Sequence, residues 1–510
     1  MAKKVVLIQV PVGDGSKVYC ERKDLPFGIA YVAKSLLKTG FDVEVFDIYG
    51  SLFYQNSPFL DKNNVIKYIK TIEADYIGIS ALSTQYSYVK WLCCEIKRYH
   101  NVKIILGGKL ATFTPETVLQ TTAVDICVIG EGEVTMPKLL QNLDSLRDVA
   151  GIAFKENGKI VYTKARPYLD NLDQLGFPSY ELFDMSIYTD NYLFMNDRSI
   201  NKFGLGTIDK GYKAASVLTG RGCPYNCHFC SKSFSAFKFR SIDNIVEEIK
   251  YLKEKYHINA IHFVDELAIW NKKRARELIQ KIKPLNIIWD CQGRVNVVDY
   301  ELLREMKEAG CVGIGFGIES GSNEVLRRMN KKQTAEQSEK ALKAAYKVGL
   351  TVKLQLMIGY YGETRETVME TVKLMMRCHT YGRRMAIVVP LPGSQLYDDI
   401  KREGFIKNEA EYLEKITMGY GADNAPVLFN FTNMTTKELL KVKEEAERTM
   451  LYNYIKYLVS HPAQLYKFLL PVVKDLSKFP VLYVRYPYVR KKTHKYLQKL
   501  ICKFIHKLKH

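Results

Sequence analysis

Short apolar runs alternate with stretches of helical periodicity along the first part of the chain. Val5–Val10 reads as a strand, Gly28–Lys38 as a helix stopped by Gly40, and Asp42–Phe46 and Tyr76–Ile79 as two further strands. Tyr88–Tyr99 is helical, Val102–Leu106 is a strand ending in Gly107 and Gly108, and Asp125–Ile129 is a strand ending in Gly130. Five strands with helices between them predict a doubly wound parallel sheet, whose ligands sit beyond the carboxyl ends of the strands. A stretch of mixed strand signals follows, with Pro167, Pro178 and many Tyr and Asp, and predicts a connector with little regular structure over 146–210. From Ala214 a second alternation begins, with strands at Ala215–Leu218, Ala260–Val264, Ile287–Asp290, Val312–Gly317, Val352–Ile358 and Met385–Val389. Helical patterns such as Ile242–Tyr256 and Tyr300–Ala309 separate them, so six βα units predict a (β/α)6-type full or partial barrel with its chemistry at the strand ends. The remainder reads as helical. The expected division is therefore 1–145, 146–210, 211–400 and 401–510.

Composition narrows this picture. At 510 residues the chain is too long for one ordinary core, and 47% hydrophobic with 25% charged residues excludes a disordered, collagen-like or coiled-coil protein. No apolar run reaches the ~18 residues of a membrane-spanning helix. The N-terminal MAKKVVLIQV shows no cleavage pattern, so a cytoplasmic protein is expected. The net charge of +20 is uneven: from Pro471 to His510 eleven Lys/Arg face Asp475 alone, a net +10. A local basic tail explains the high isoelectric point better than a nucleic-acid surface, and no nucleic-acid partner is expected.

Eleven cysteines are too few for a disulfide scaffold, yet Cys223, Cys227 and Cys230 crowd into Gly220-Arg221-Gly222-Cys223-Pro224-Tyr225-Asn226-Cys227-His228-Phe229-Cys230. This loop follows the first barrel strand. Three thiolates there can hold three irons of a 4Fe-4S cluster and leave the fourth iron open for a small molecule. The alternative is a structural zinc knuckle with His228 or a distant Cys as fourth ligand; such knuckles usually pair two CxxC units, and no second unit exists.

The loop resembles the signature of the radical S-adenosylmethionine superfamily, C-x-x-x-C-x-x-C with an aromatic (Phe229) before the last Cys. The resemblance implies that Cys223, Cys227 and Cys230 are the metal ligands, and that the open iron chelates S-adenosylmethionine for cleavage to a 5′-deoxyadenosyl radical. It continues down the barrel. Phe263-Val264-Asp265-Glu266 resembles the carboxylate-bearing stretch near the methionine amino group, and Gly317-Ile318-Glu319-Ser320-Gly321-Ser322 the element that reaches toward the ribose. Pro390-Leu391-Pro392-Gly393-Ser394 resembles the turn closing the barrel, whereas Gly359-Tyr360-Tyr361-Gly362-Glu363-Thr364 resembles "G-x-P-G-E-T" without its Pro. Phe229, Asp265, Glu266, Arg294, Glu319 and Ser320 are thus implied on the S-adenosylmethionine side.

Leu25-Pro26-Phe27-Gly28, Gly107-Gly108-Lys109-Leu110 and Gly130-Glu131-Gly132-Glu133 resemble elements of the Rossmann-like cobalamin-binding domain that often precedes such barrels. The resemblance implies Gly107, Gly108, Gly130 and Glu131 as cobalamin contacts; alternatively the domain binds no corrinoid and only shapes the pocket. No D-x-H-x-x-G motif is present and the only His in 1–145 is His100, so a bound cobalamin would lack a protein His ligand. Lys109-Leu110 replaces the Pro-His pair common after the two glycines. Methylthiotransferases carry a second cysteine trio in this domain; Cys20, Cys93, Cys94 and Cys127 lack that clustering.

In the tail Leu497, Leu500, Ile501, Phe504 and Leu508 recur at helical spacing among Lys495, Lys499, Lys503 and Lys507. Such a helix predicts either peripheral contact with an anionic membrane or docking on the barrel with a solvated lysine face. The expected activity is methyl transfer to an unactivated carbon of a small-molecule or lipid-like substrate, with a flavodoxin or ferredoxin as electron donor. A cyclase or rearrangement enzyme and, from another class, a non-catalytic iron–sulfur module are the alternatives.

Overall fold

A computed structural model describes residues 2–11, 24–48, 62–189, 212–232, 234, 236–380, 384–419 and 427–461. The first sheet contains β1 (Lys4–Gln9), β2 (Asp42–Asp47), β3 (Tyr76–Ser80), β4 (Lys103–Gly107), β5 (Ile126–Val128), β6 (Ile152–Glu156) and β7 (Lys159–Tyr162). Their order is β2-β1-β3-β4-β5-β6-β7, with the first five parallel and β5, β6 and β7 paired antiparallel. Alternation along β1 serves two cores. Val5 and Leu7 pack with Ile29, Ala33 and Leu36 of helix Phe27–Lys38 and with Met136 and Leu139 of helix Gly132–Gln141. Val6 and Ile8 pack with Val65 and Ile69, Val89 and Leu92, and Val118 from helices Lys62–Thr71, Tyr86–Tyr99 and Pro115–Thr121. The strand order reverses between β1 and β3, which opens a crevice at their carboxyl ends.

The expected connector differs. Its first residues form the β6–β7 hairpin, which carries the sheet past residue 145. Asn157 (φ 50°) and Gly158 (φ 77°) make the turn. Both central residues lie in the left-handed region that a two-residue hairpin matching strand twist requires, and Asn-Gly meets that need.

The second sheet begins with β8 (Ala214–Val217), after which the short hairpin β9 (Gly220–Arg221) and β10 (Lys238–Phe239) pinches off the cysteine loop. It continues through β11 (Ala260–Phe263), β12 (Ile288–Gly293), β13 (Cys311–Glu319), β14 (Thr351–Ile358) and β15 (Met385–Ile387). The order is β15-β14-β13-β12-β11-β8, parallel throughout, with β8 and β15 as edges: a six-stranded partial barrel on all six expected strands. Ile314, Phe316 and Ile318 of β13 are buried in the barrel core, and the positions between Cys311 and Glu319 that alternate with them are the glycines Gly313, Gly315 and Gly317. Five barrel helices begin at a capping side chain: Ser241, Asn271, Asp299, Thr334 and Thr364 accept from the backbone N–H of the third helical residue. Each such cap contributes about 1 kcal/mol and pins the loop at the active end of its strand.

The C-terminal helices staple the two sheets together. Tyr412, Leu413 and Ile416 of helix Glu409–Gly419 join the core beneath the first sheet, and Lys90 pairs with Glu414 at 2.9 Å. Leu439, Val442, Ala446 and Met450 of helix Thr436–Ser460 join the barrel core. Among the described residues no helix is long and apolar enough to cross a membrane. The expected basic tail helix lies outside the described residues.

Candidate cofactor site between the two sheets

The cysteine loop starts from a position only glycine can fill. Gly222 has φ 78°, and a Cβ there would lie 2.2 Å from the Ala236 carbonyl oxygen. Just before it, buried Arg221 reaches out of the barrel: Nη1 donates to Glu131 Oε1 at 3.0 Å and Nη2 to Glu133 Oε1 at 2.5 Å. The guanidinium also lies over Tyr31 and Phe234, 5.2 and 5.1 Å from their ring centres. At the far end, Lys109 Nζ donates to Ser231 O at 2.7 Å and Ser231 Oγ to Pro392 O at 2.7 Å. Lys232 crosses the loop to Cys223 O (3.2 Å) and Asn226 Oδ1 (2.7 Å).

Within this frame Cys223 and Cys227 are half-buried and Cys230 is exposed. Burial pushes the Cys223 and Cys230 thiols up, Cys230 to about 11, and Glu266 and the other loop cysteines raise them further. Three thiols gathered in one short loop, with burial opposing ionisation of Cys223 and Cys230, suit a strongly positive guest, which iron supplies, and the donor set therefore fits a cluster. Both ring nitrogens of His228 are engaged, by Tyr360 OH and by Asp399 Oδ2, so the ring is not available as the fourth ligand of a zinc knuckle.

The other residues singled out by sequence stand in different relations to this loop. Phe229 packs against Val325, Met329 and Leu396, with Lys331 Nζ 5.7 Å from its ring centre. Glu266 is exposed and acts electrostatically on Cys223, Cys230 and Lys109. Asp265 is buried and accepts from Thr219 N (2.9 and 3.0 Å) and Thr219 Oγ1 (2.9 Å), so its carboxylate ties the end of β11 to the approach of the cysteine loop. Arg294 covers the Tyr225 ring at 3.6 Å and donates to the carbonyls of Lys331 and Lys332. Glu319 pairs with Lys331 Nζ at 2.7 Å from a left-handed backbone (φ 61°), beyond a register shift after Gly317. A Cβ at Gly317 would lie 2.5 Å from Glu319 Oε1 and 2.8 Å from Lys331 Nζ, so a side chain there would displace that ion pair. Ser320 is fully buried and receives the Ser322 N–H at 3.1 Å.

On the first sheet, Gly28, Gly78, Gly107, Gly108, Gly130 and Gly132 line a cleft at the strand carboxyl ends. Leu7, Ile79, Ile105, Val128 and Met136 form its apolar wall. A Cβ at Gly28 or Gly107 would meet nothing closer than 3.7 or 3.9 Å, and at Gly130 nothing within 4 Å, so side chains there would intrude on free space. Bare backbone around an apolar floor fits a large flat ring such as a corrin. Glu131 lines this cleft, but its carboxylate is taken by Arg221 and by Leu169 N (2.7 Å). Sequence reasoning missed Arg221, Glu133 and Lys109 as cross-domain contacts; two glutamates in one glycine turn were a signal that a buried cation must lie opposite.

A model of the radical SAM superfamily matches residues 217–375 and one of the B12 binding domain matches 25–140. An uncharacterized methyltransferase of Pyrococcus horikoshii is 32% identical over 406 residues, 78% of this chain and 82% of that protein. The chain belongs to the radical SAM superfamily, in the branch with a B12-binding domain. An anaerobic magnesium-protoporphyrin IX monomethyl ester cyclase of Rubrivivax gelatinosus is 28% identical over 357 residues, 67% of this chain and 61% of that one. The radical S-adenosylmethionine methyltransferase TsrM of Kitasatospora setae, solved with cobalamin and a 4Fe-4S cluster, shares the fold at a TM-score of 0.60. It is 18% identical, covering 79% of this chain and 75% of that one. A 4Fe-4S cluster, S-adenosylmethionine and cobalamin are accordingly the cofactors of this radical SAM enzyme.

The missing proline of its β14 turn is compensated locally. Glu363 Oε2 accepts from Gly359 N at 2.6 Å and Tyr360 N at 3.3 Å, and Thr364 caps the next helix. Burial pushes the Glu363 carboxyl up to about 7.

Two outcomes follow from these contacts. Arg221→Met leaves Glu131 and Glu133 without their shared cation and is expected to cost about 3–5 kcal/mol, read as a lower guanidinium midpoint of the full chain. Glu363 keeps its proton in the folded chain at pH values where the unfolded chain has lost it. Its contribution is therefore greatest below about pH 4.5, falls as pH rises to about 7, and is flat above that. Denaturation midpoints measured at about pH 5.5 and about pH 8 should differ less for Glu363→Gln than for the parent.

Proposed function

We propose that this enzyme transfers a methyl group to an unactivated carbon of a small molecule. The observation that carries the reading is the double tether, Arg221 to Glu131 and Glu133 and Lys109 to Ser231, which brings the rim of the glycine cleft onto the cysteine loop. In this reading Cys223, Cys227 and Cys230 hold the cluster and leave one iron for S-adenosylmethionine. Phe229, Glu266, Arg294 and Glu319 border that cosubstrate directly, while Asp265 and Ser320 shape the strand ends beneath it. Gly107, Gly108 and Gly130 admit the corrin, and Glu131 fixes the rim. When bound, the cluster supplies one electron for reductive cleavage of S-adenosylmethionine, and cobalamin supplies the methyl group. The chain's own task is to orient these groups and exclude water.

Cyclisation or rearrangement without methyl transfer is the second reading, and the relationship to the cyclase supports it. A flavodoxin- or ferredoxin-class protein suits as one-electron donor. The basic tail, with net +10 from Pro471 to His510, supports peripheral contact with anionic lipid.

The anaerobically reconstituted full chain, given hydroxocobalamin and desalted, is expected to keep corrinoid bands beside iron–sulfur absorption and to form 5′-deoxyadenosine under reduction. Cys227→Ala should lose more of that cleavage than the about 10–100-fold that removal of a ligand's neighbour costs. Loss of all corrinoid on desalting sinks methyl transfer; a corrinoid-loaded enzyme whose product gains no methyl favours the cyclase reading. A chain ended at residue 470 should pellet less with anionic liposomes than the full chain, and equal pelleting removes the membrane contact.

A further inference from the structure

Between Cys227 and Cys230 stands a histidine held on all sides. The His228 backbone N–H donates to Met329 O at 3.0 Å, and its carbonyl accepts from Leu396 N at 2.9 Å. Its Nδ1 faces Tyr360 OH and its Nε2 faces Asp399 Oδ2 at 2.7 Å. These partners come from three elements: the turn after helix Asn323–Arg328, the turn after β14, and helix Gln395–Arg402. The partners are themselves fixed. Tyr360 is buried and its hydroxyl lies 3.3 Å from Arg328 O, and Asp399 Oδ1 accepts from Gln395 Nε2 at 3.0 Å and from Arg402 Nη2 at 2.5 Å.

We propose that His228 is a positioning residue for the cluster, clamped by Tyr360 and Asp399 so that Cys227 and Cys230 keep one geometry and the Asp399 carboxylate acts on the cluster's reduction potential. The clamp is specific to side-chain chemistry. An apolar residue at 228 would keep the two backbone bonds but take one partner from the buried Tyr360 hydroxyl, which keeps Arg328 O, and one from the half-buried Asp399 carboxylate, which keeps Gln395 and Arg402. Groups bonded around metal ligands orient them and tune the metal, and a fixed negative charge one side chain away from two thiolates opposes the extra electron of the reduced cluster. Removing that charge therefore moves the couple to higher potential. Removing only a clamp bond loosens the loop and leaves the charge.

The full chain is reconstituted anaerobically as the parent and as Asp399→Asn, Tyr360→Phe and His228→Phe. The midpoint of the cluster is followed by electron paramagnetic resonance and iron release by a chelator. Asp399→Asn should bind iron as the parent does and titrate at a higher potential. Tyr360→Phe should titrate near the parent and release iron about tenfold faster. If His228→Phe fails to fold, the two near-isosteric variants still decide. An unmoved midpoint in Asp399→Asn, or parental iron release in Tyr360→Phe, overturns the proposal. It rests on the cluster reading above: no cluster in the parent overturns both, and a parental cluster with unmoved variants overturns this one alone.

Discussion

Everything about this site depends on one buried guanidinium. Arg221 belongs to the barrel by sequence and to the first sheet by contact, because its carboxylate partners, Glu131 at the N-cap and Glu133 in the first turn of helix Gly132–Gln141, follow β5. Ion pairs as buried as this one are expensive to assemble, since each charge loses its water. The chain offsets that cost by concentrating charge. Glu131 and Glu133 share Arg221, and both also act electrostatically on nearby Arg166, whose charge burial disfavours. A hydrophobic contact would have been a cheaper way to join two domains. What the ion pairs add is direction: a bidentate fork tolerates little sliding, and it fixes the loop that begins two residues later with Cys223.

The far end of that loop is fixed by unrelated means. Lys109, Pro392 and the His228 bonds secure it to the first sheet, the barrel-closing turn and helix Gln395–Arg402. The loop is thus spanned between both units and the C-terminal helices, and it spends few of its own side chains on holding itself together. This division leaves Cys223, Cys227 and Cys230 free of structural duties. It also explains why Asp265 and Ser320 are more buried and more fully bonded than contacts to a cosubstrate need be: they build the strand ends on which Glu266 and Glu319 stand.

Periodicity made most of the fold legible. All six barrel strands and the first five strands of the other sheet are short apolar runs flanked by glycine or by a helix, and the residues between them repeat at helical spacing. The β6–β7 hairpin went unread although Asn157-Gly158 announces it, because the flanking prolines and tyrosines suggested a linker. The cysteine trio was legible because local spacing alone defines it. Arg221, Glu133 and Lys109 were not, since their meaning lies in a partner about ninety or more residues away, a separation that no window of periodicity spans.

The same long-range arrangement constrains how a corrinoid is held. The one histidine of the first unit, His100, has its Nε2 on the Ile69 carbonyl at 2.5 Å, away from the cleft. The residues that line the cleft are glycines, aliphatic side chains, Ser80, Phe234 and the two glutamates, of which Arg221 occupies both. Among the described residues that line the cleft none offers a free coordinating side chain, so in the proposed reading the ring is retained by shape and apolar burial, at about 25 cal/mol for each Å² covered. A cleft that binds by shape is sensitive to where its rim stands. The rim here is the Gly130–Glu133 segment, and Arg221 holds it, so the cation that anchors the cysteine loop also sets the width of the glycine cleft.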